Sequence, residues 1–184
     1  AVYNVSLTIA QQLWILPDAV SQVIMSRIAA MSEEHDKMRL TLISSKAVTY
    51  VTAVAALMLY WISNLLIPWL FPMYVGSLRS LPYLVIGCIF ISCAKVLNNS
   101  IAAYGRPELN IIPTTLGVAT NCASYFIFIP LLGVNGVAAA TALSMGIQGV
   151  SSVVIFCVFT HTRPYRLLIP TKEEIDSARA LFKR

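Results

Sequence analysis

Two ionisable residues stand inside apolar stretches long enough to cross a lipid bilayer. Asp18 follows Pro17 in "TIAQQLWILPDAVSQVIM", and Lys95 lies in "LVIGCIFISCAKVLNNSIAA". A charged side chain at the bilayer centre costs about 2.5–3.5 kcal/mol on insertion scales, so such a residue usually faces a protein interior or water. Each residue lies 14 positions after the start of its predicted membrane helix, so their predicted depths match. Both are therefore candidates for binding an ion or a charged substrate.

The chemistry open to this pair is binding rather than catalysis, and three interpretations remain. Both residues could line a polar cavity, with Lys95 as the cation for an anionic substrate. They could instead neutralise each other as a packing pair. Lys95 could also extend toward the cytoplasmic surface, about ten residues away. For Asp18, Pro17 offers a further explanation, because a proline bends a helix and leaves backbone carbonyls without partners.

Other polar residues at similar depth suggest a lumen within the bundle. Asn98 and Asn121 are the further candidates for lining a substrate cavity with Lys95. Taken singly, amide side chains in membrane helices more often form hydrogen bonds between helices. The remaining residues of this kind are Gln11, Gln12, Gln22, Asn99 and Gln148.

No pattern typical of an enzyme occurs in the sequence. The two histidines, His35 and His161, are far apart, and there is no Gly-rich phosphate loop and no HExxH motif. The four cysteines lie in apolar segments without paired spacing, which indicates small buried side chains rather than disulfides or a metal site. We expect no enzymatic activity, no cofactor, no metal and no nucleic-acid partner.

The composition indicates an all-α polytopic membrane protein. Hydrophobic residues make up 58% of the 184, charged residues make up 11%, and the mean hydropathy is +0.75. A soluble domain has about 25% charged residues. Residues 47–78 are free of charge for 32 positions and residues 109–162 for 54, and a span needs about 20 apolar residues. Five membrane helices are predicted within residues 1–162, at about 4–27, 45–69, 81–104, 111–132 and 135–160.

Glycine, proline and small residues mark the predicted turns and packing surfaces. Gly105 and Pro107 follow the third span, and Gly133 follows the fourth, which Pro130 is expected to end. Asn135 is expected to cap the fifth span. Small residues recur there at every fourth position, a spacing that lets helix backbones approach closely in lipid. The two series are Gly136, Ala140 and Ser144, and Ala138, Ala142 and Gly146.

Basic residues alternate in a way that predicts orientation. Five spans place eleven of the 13 basic residues at alternate ends, in the loop after the first span, the turn after the third and the tail. The other side has only Arg79. The positive-inside rule makes the basic side cytoplasmic, with the N-terminus outside and the C-terminus inside. The basic residues assigned to that side are Arg27, Lys37, Arg39, Lys46, Arg106, Arg163, Arg166, Lys172, Arg179, Lys183 and Arg184.

Two segments are predicted to lie at the membrane surface. "SEEHDKMR" starts with Ser32 as a helix N-cap followed by acidic residues. Residues 163–184 are predicted to form a cytoplasmic amphipathic tail, in which Thr171 and Glu174 have capping-box spacing. The tail is typical either of an interfacial helix on membrane lipids or of a solvated helix.

Three segments resemble, in order and spacing, the C-terminal half of polysaccharide flippases. They are "YNVSLTIAQQLWILPDAVSQVIMSRIA", "CAKVLNNSIAAYGRPELN" and "NCASYFIFIPLLGVNGVAAATALS". The resemblance is to the multidrug/oligosaccharidyl-lipid/polysaccharide (MOP) exporter superfamily, in its polysaccharide-transporter branch. Ser26 departs from the family pattern, in which proline often precedes the basic residue. Full members have two six-helix lobes in a MATE-like fold, so the chain would supply five of the last six helices and would need the N-terminal lobe as its partner.

This resemblance implies a function. Such proteins flip undecaprenyl-pyrophosphate-linked oligosaccharide across the bacterial inner membrane for O-antigen, capsule or exopolysaccharide synthesis. It implies that Lys95 binds the diphosphate, that Asp18 could carry a coupling proton, and that Arg27 attracts the head group at the cytoplasmic mouth or simply anchors the helix. The alternatives are a multidrug or lipid II exporter of the same superfamily, and a membrane scaffold in envelope assembly that transports nothing.

Overall fold

The described part of the chain is built from α-helices joined by short turns. The structure is a computed structural model that describes residues 2–31, 33–70 and 72–160, so Ser32 and the predicted tail at 163–184 lie outside the described residues. No β-strand occurs among the residues described, which confirms the all-α class. The helices are α1 (Val2–Gln11), α2 (Ile15–Ala30), α3 (Glu34–Leu70), α4 (Ser77–Ala103), α5 (Ile111–Leu132) and α6 (Val134–Thr160), with 3-10 turns at Gln12–Trp14, Pro72–Tyr74 and Pro107–Asn110.

Four helices in the described residues are long and apolar enough to cross a membrane. They cover the predicted second to fifth spans and extend over Glu34–Trp69, Ser77–Ala103, Pro107–Leu132 and Asn135–Thr160. This number of long apolar helices indicates a multi-pass membrane protein. The first predicted span differs from the others because it is divided between α1 and α2, neither of which reaches 18 residues.

Pro17 explains where the first predicted span is interrupted. Proline has no N–H for the carbonyl of Leu13, four residues earlier, and its ring crowds that carbonyl. The chain responds with the 3-10 turn Gln12–Trp14, in which the Ile15 N–H donates to the Gln12 carbonyl. The helical path therefore changes to 3-10 geometry for one turn, which ends four residues before Asp18.

Helix α3 begins well before its predicted start at residue 45. Its 37 residues correspond to about 55 Å, more than the ~30 Å hydrocarbon core of a bilayer, so one end must extend past the lipid. The acidic Glu34 and Asp36 occupy its first turn, where the helix dipole favours negative charge. The surface segment predicted separately at "SEEHDKMR" is thus mostly the beginning of α3.

A ring contact holds this end of α3 against the bundle. The Lys37 ammonium lies 5.8 Å from the centroid of the Tyr104 ring, just after α4, and that ring meets Phe159 of α6 edge-on at 5.8 Å. Lys46, expected in the preceding loop, lies instead within α3 and is only 6% exposed. The prediction that Lys46 lies in a surface loop was wrong, because α3 includes this residue and its side chain is buried.

Helix α4 is the centre of the arrangement. Helices α1, α2, α3 and α6 all pack on it, while α5 packs on α6. Accordingly α4 is the most buried of the four long helices and α5 the most exposed. The largest apolar cluster joins α1, α3 and α6 through α4, with Leu81, Leu84 and Cys88 at its centre.

The first predicted series of small residues forms the contact between α6 and α5. A Cβ added to Gly136 would lie 2.0 Å from the Phe128 carbonyl oxygen, so the two backbones touch there. Ala140 is fully buried, and the Ser144 hydroxyl donates to the Gly117 carbonyl of α5 at 2.8 Å. Polar and small residues thus bring the two helices together along their shared length.

The second series is only partly a contact surface. An added Cβ on Gly87 of α4 would lie 3.0 Å from the Ala142 Cα, and one on Gly149 would lie 2.8 Å from the Phe90 carbonyl oxygen. Gly146, by contrast, would present its Cβ to open space. The contact with α4 therefore runs through Ala142 and Gly149, and Gly146 does not belong to it.

The predicted turns are present, with two corrections between α5 and α6. Gly133 has φ of +57°, where only glycine is comfortable, and its N–H donates to Ile129 at 2.9 Å. Pro130 lies inside the last turn of α5 and does not end it. Asn135 does not cap α6, since it lies within that helix and accepts a hydrogen bond from the Ser80 hydroxyl at 2.7 Å.

The turn between α4 and α5 follows the prediction. Gly105 has φ of +79°, and Pro107 opens the short 3-10 turn that leads into α5. The Asn110 side chain donates to the Asn98 carbonyl at 2.8 Å, which ties this turn back to α4.

The backbone contact at Gly136 leads to a paired prediction. Gly136→Ala should lower the free energy of unfolding by about 1–3 kcal/mol, because a methyl group there must push α5 away. Gly146→Ala, in the same helix with open space around it, should be neutral or stabilising by up to about 1 kcal/mol. Unfolding in mixed detergent measures both. Equal effects of the two substitutions would contradict the close contact.

Candidate functional site

Lys95 and Asp18 form a direct ion pair between α4 and α2. The Lys95 Nζ lies 2.6 Å from an Asp18 carboxylate oxygen. The lysine side chain is 21% exposed and the aspartate side chain 48% exposed. The pairing that the sequence left as one alternative is therefore present, and its carboxylate half is open to the surroundings. The cost of a charge at membrane depth falls because the two charges balance each other.

Trp14 completes the surroundings of Lys95. The Lys95 ammonium lies 4.5 Å from the centroid of the Trp14 ring, within the distance of a cation–π contact. The indole N–H donates to the Cys88 sulfur at 3.2 Å, which fixes the orientation of the ring. Trp14 belongs to the 3-10 turn caused by Pro17, so this turn positions the aromatic side chain over the lysine.

A second polar contact follows one turn further along both helices. The Asn99 side chain donates to the Ser21 hydroxyl at 2.8 Å, and that hydroxyl donates to the Asp18 carbonyl at 3.0 Å. Positions 14, 18 and 21 of one segment thus meet 88, 95 and 99 of α4 in ascending order. The segment around the ion pair consequently runs parallel to α4 in a fixed register.

The sequence did not single out Trp14, Ser21 or Asn99 as site residues. Trp14 is four residues before Asp18, and Asn99 is four residues after Lys95, so each shares a helical face with one member of the pair. That spacing was the signal available. The spacing alone does not identify these contacts, because they also depend on how α2 and α4 are rotated relative to each other, which only the packing determines.

The other residues predicted to line the cavity make no described contact with Lys95 or Asp18. Asn98 lies on α4, but its side-chain oxygen is buried without a hydrogen-bond partner. Asn121 lies on α5, which packs against α6, and its side-chain oxygen is likewise buried without a partner. Arg27 is exposed near the end of α2, about 14 Å along the helix axis from Asp18.

The arrangement suits the binding of small charged groups. Lys95 is held by two contacts, the ion pair with Asp18 of α2 and the ring of Trp14 in the 3-10 turn, and the Asp18 side chain is half-exposed. Among the described residues, no group of three or more His, Cys, Asp or Glu side chains could hold a metal ion.

The chain matches no family model, no curated protein and no solved structure. The resemblance to the MOP exporter superfamily therefore rests on its three sequence blocks. The function that it implies stays a prediction.

A double-mutant cycle tests the energetic coupling of the pair. Asp18→Asn and Lys95→Met should each lower the free energy of unfolding, because each leaves one charge without its partner. The double variant should be more stable than the sum of the two losses predicts, by about 0.5–3 kcal/mol. Arg106→Met and Glu108→Gln, two exposed residues of the turn after α4, form the control and should be additive. Strict additivity for Asp18 and Lys95 would contradict a stabilising ion pair.

Proposed function

We propose that the chain forms part of a membrane transporter for an anionic lipid-linked substrate. The substrate that suits it best is undecaprenyl-pyrophosphate-linked oligosaccharide. The observation that carries this proposal is the ion pair between Lys95 of α4 and the half-exposed Asp18, which lies four residues after the 3-10 turn between α1 and α2. Transporter binding sites commonly lie near the bilayer midplane, where membrane helices are interrupted.

The pair supplies a mechanism for exchanging one anion for another. Without substrate, Asp18 neutralises Lys95. A diphosphate carries more negative charge than a carboxylate and forms strong charge-assisted hydrogen bonds with an ammonium group. It would displace Asp18, which is the more exposed partner and is free to take up a proton or face water. Loading would thereby loosen the contact between α2 and α4.

In this proposal the chain is one part of a larger assembly. Helices α1 and α2 together form the first of five spans, and the ends rich in basic residues face the cytoplasm of a bacterial inner membrane. A second lobe, as in the MATE-like fold, would cover the exposed side of Asp18 and enclose the substrate. A lipid II exporter would use the same chemistry, because its substrate is also a lipid-linked diphosphate.

A purely structural role is the second candidate, and the geometry of the pair favours it in one respect. At 2.6 Å from Asp18 and beneath the Trp14 ring, Lys95 already has its charge balanced. In a scaffold the pair would serve only to hold α2 on α4. Transport and scaffold roles differ in what happens when the charge is kept but the pairing geometry is changed.

Substitution of Lys95 in the gene separates these roles. Lys95→Ala should lower surface polysaccharide at least about ten-fold when compared at equal protein level, since one lost charge-assisted contact corresponds to about 1.5–3 kcal/mol. Lys95→Arg should retain more transport, because the charge that binds the diphosphate remains. Arg79→Ala, at an exposed site at the other end of α4, should have no effect. Unchanged polysaccharide in the alanine variant, at equal protein level, would refute the substrate role.

A further inference from the structure

A groove lies between α2 and α3 on the surface of the bundle. It has a volume of about 420 Å³, within the range of small-molecule sites. Its walls are mostly small or branched apolar side chains such as Val23, Ile43 and Ala47. Two lining residues are polar, Arg27 on α2 and Ser44 on α3.

The groove is polarised along its length. Helices α2 and α3 run in opposite directions, so Arg27 and Leu40 lie toward the end of α2 and the start of α3, while Ala19 and Ala47 lie away from them. Ala19 and Arg27, eight positions apart on α2, are separated by about 12 Å along the helix axis, close to the ~15 Å of one leaflet's hydrocarbon. The charge-free part of α3 begins at Ala47. One end of the groove is thus cationic, and the other leads into the apolar part of the bundle.

Arg27 is placed to bind an anion from outside the bundle. It is exposed, and the part of the chain that the structure describes offers it no ion pair. A guanidinium group binds phosphate oxygens through two parallel hydrogen bonds. The acidic Glu34 and Asp36, in the first turn of α3, do not line the groove.

We propose that this groove binds one anionic phospholipid of the membrane, with its phosphate on Arg27 and an acyl chain along the apolar walls. The occupant is a single phosphate ester rather than the lipid-linked diphosphate, because Arg27 alone is charged among the described residues that line the groove. It is also a separate site, about 14 Å along α2 from Asp18. The proposal does not depend on the transport function.

Native mass spectrometry of the purified chain tests the site with dipalmitoyl phosphatidylglycerol and dipalmitoyl phosphatidylcholine. The wild type should retain one phosphatidylglycerol in preference to phosphatidylcholine. Arg27→Gln should weaken phosphatidylglycerol binding about five-fold and leave phosphatidylcholine unchanged, since only the charge contribution is lost. Arg27→Lys should keep part of the preference. Ala47→Trp, which fills the apolar end, should weaken binding of both lipids.

The matched control for Arg27→Gln is the same substitution at Arg106. Arg106→Gln, an exposed arginine outside the groove, should bind both lipids as the wild type does. Equal phosphatidylglycerol binding by wild type and Arg27→Gln would overturn the proposal, as would full binding by Ala47→Trp. Tighter binding of a polyprenyl diphosphate, lost in Arg27→Gln, would assign the groove to the transported substrate instead. A lipid-free dimer disrupted by Ala47→Trp would assign it to a second copy of the chain.

Discussion

The charge of Lys95 must be balanced within the bundle, and the structure around α2 and α4 follows from that requirement. A lone ammonium at membrane depth is costly, so the helix that carries Asp18 has to pack on α4 in the one register that brings the carboxylate to it. Trp14 and Cys88 make contact before the pair, and Ser21 and Asn99 make contact after it. The same register carries α1 onto α4, where the Ser6 hydroxyl donates to the Ser77 carbonyl at 2.8 Å.

The helices that pack on α4 are held by different forces. The contacts of α4 with α1 and α2 combine apolar packing with hydrogen bonds and the ion pair, and Asp18 is half-exposed. Between α4 and α6, backbones approach closely at glycines such as Gly87 and Gly149. Close packing of this kind resists rearrangement, whereas a charge pair yields to a competing ion. In the proposed anion exchange, the contact that changes is the ion pair between α2 and α4, while the close contact of α4 with α6 stays.

The sequence predicted features that depend on a single helix. It did not predict which residues of two packed helices contact each other. Charge-free runs predicted most of α3 and all of α5 and α6, and Gly133 predicted the turn between α5 and α6, because hydrophobicity and backbone geometry are local properties. The matching depths of Asp18 and Lys95 made their pairing foreseeable. The choice of Asn99 over Asn98 as the contact to α2, and of Gly149 over Gly146 as the contact to α4, depends on helix rotation, which only packing sets. The burial of Lys46 was not predicted, because a charged residue next to a polar segment is typical of an exposed loop.

The proposed transport role requires the Lys95–Asp18 pair to face an aqueous cavity at membrane depth rather than lipid or a sealed core. A membrane-impermeant thiol reagent, applied to the protein in nanodiscs, tests it most directly. Asp18→Cys and, separately, Val154→Cys would be placed in a background with Lys95→Met and with Ser at Cys122, which is exposed where Cys88, Cys93 and Cys157 are buried. Val154 is an exposed apolar residue of α6. The account predicts that Asp18→Cys reacts at least about ten-fold faster than Val154→Cys, because a thiolate forms and reacts only where water reaches it. Equal and negligible reactivity at both positions would contradict it.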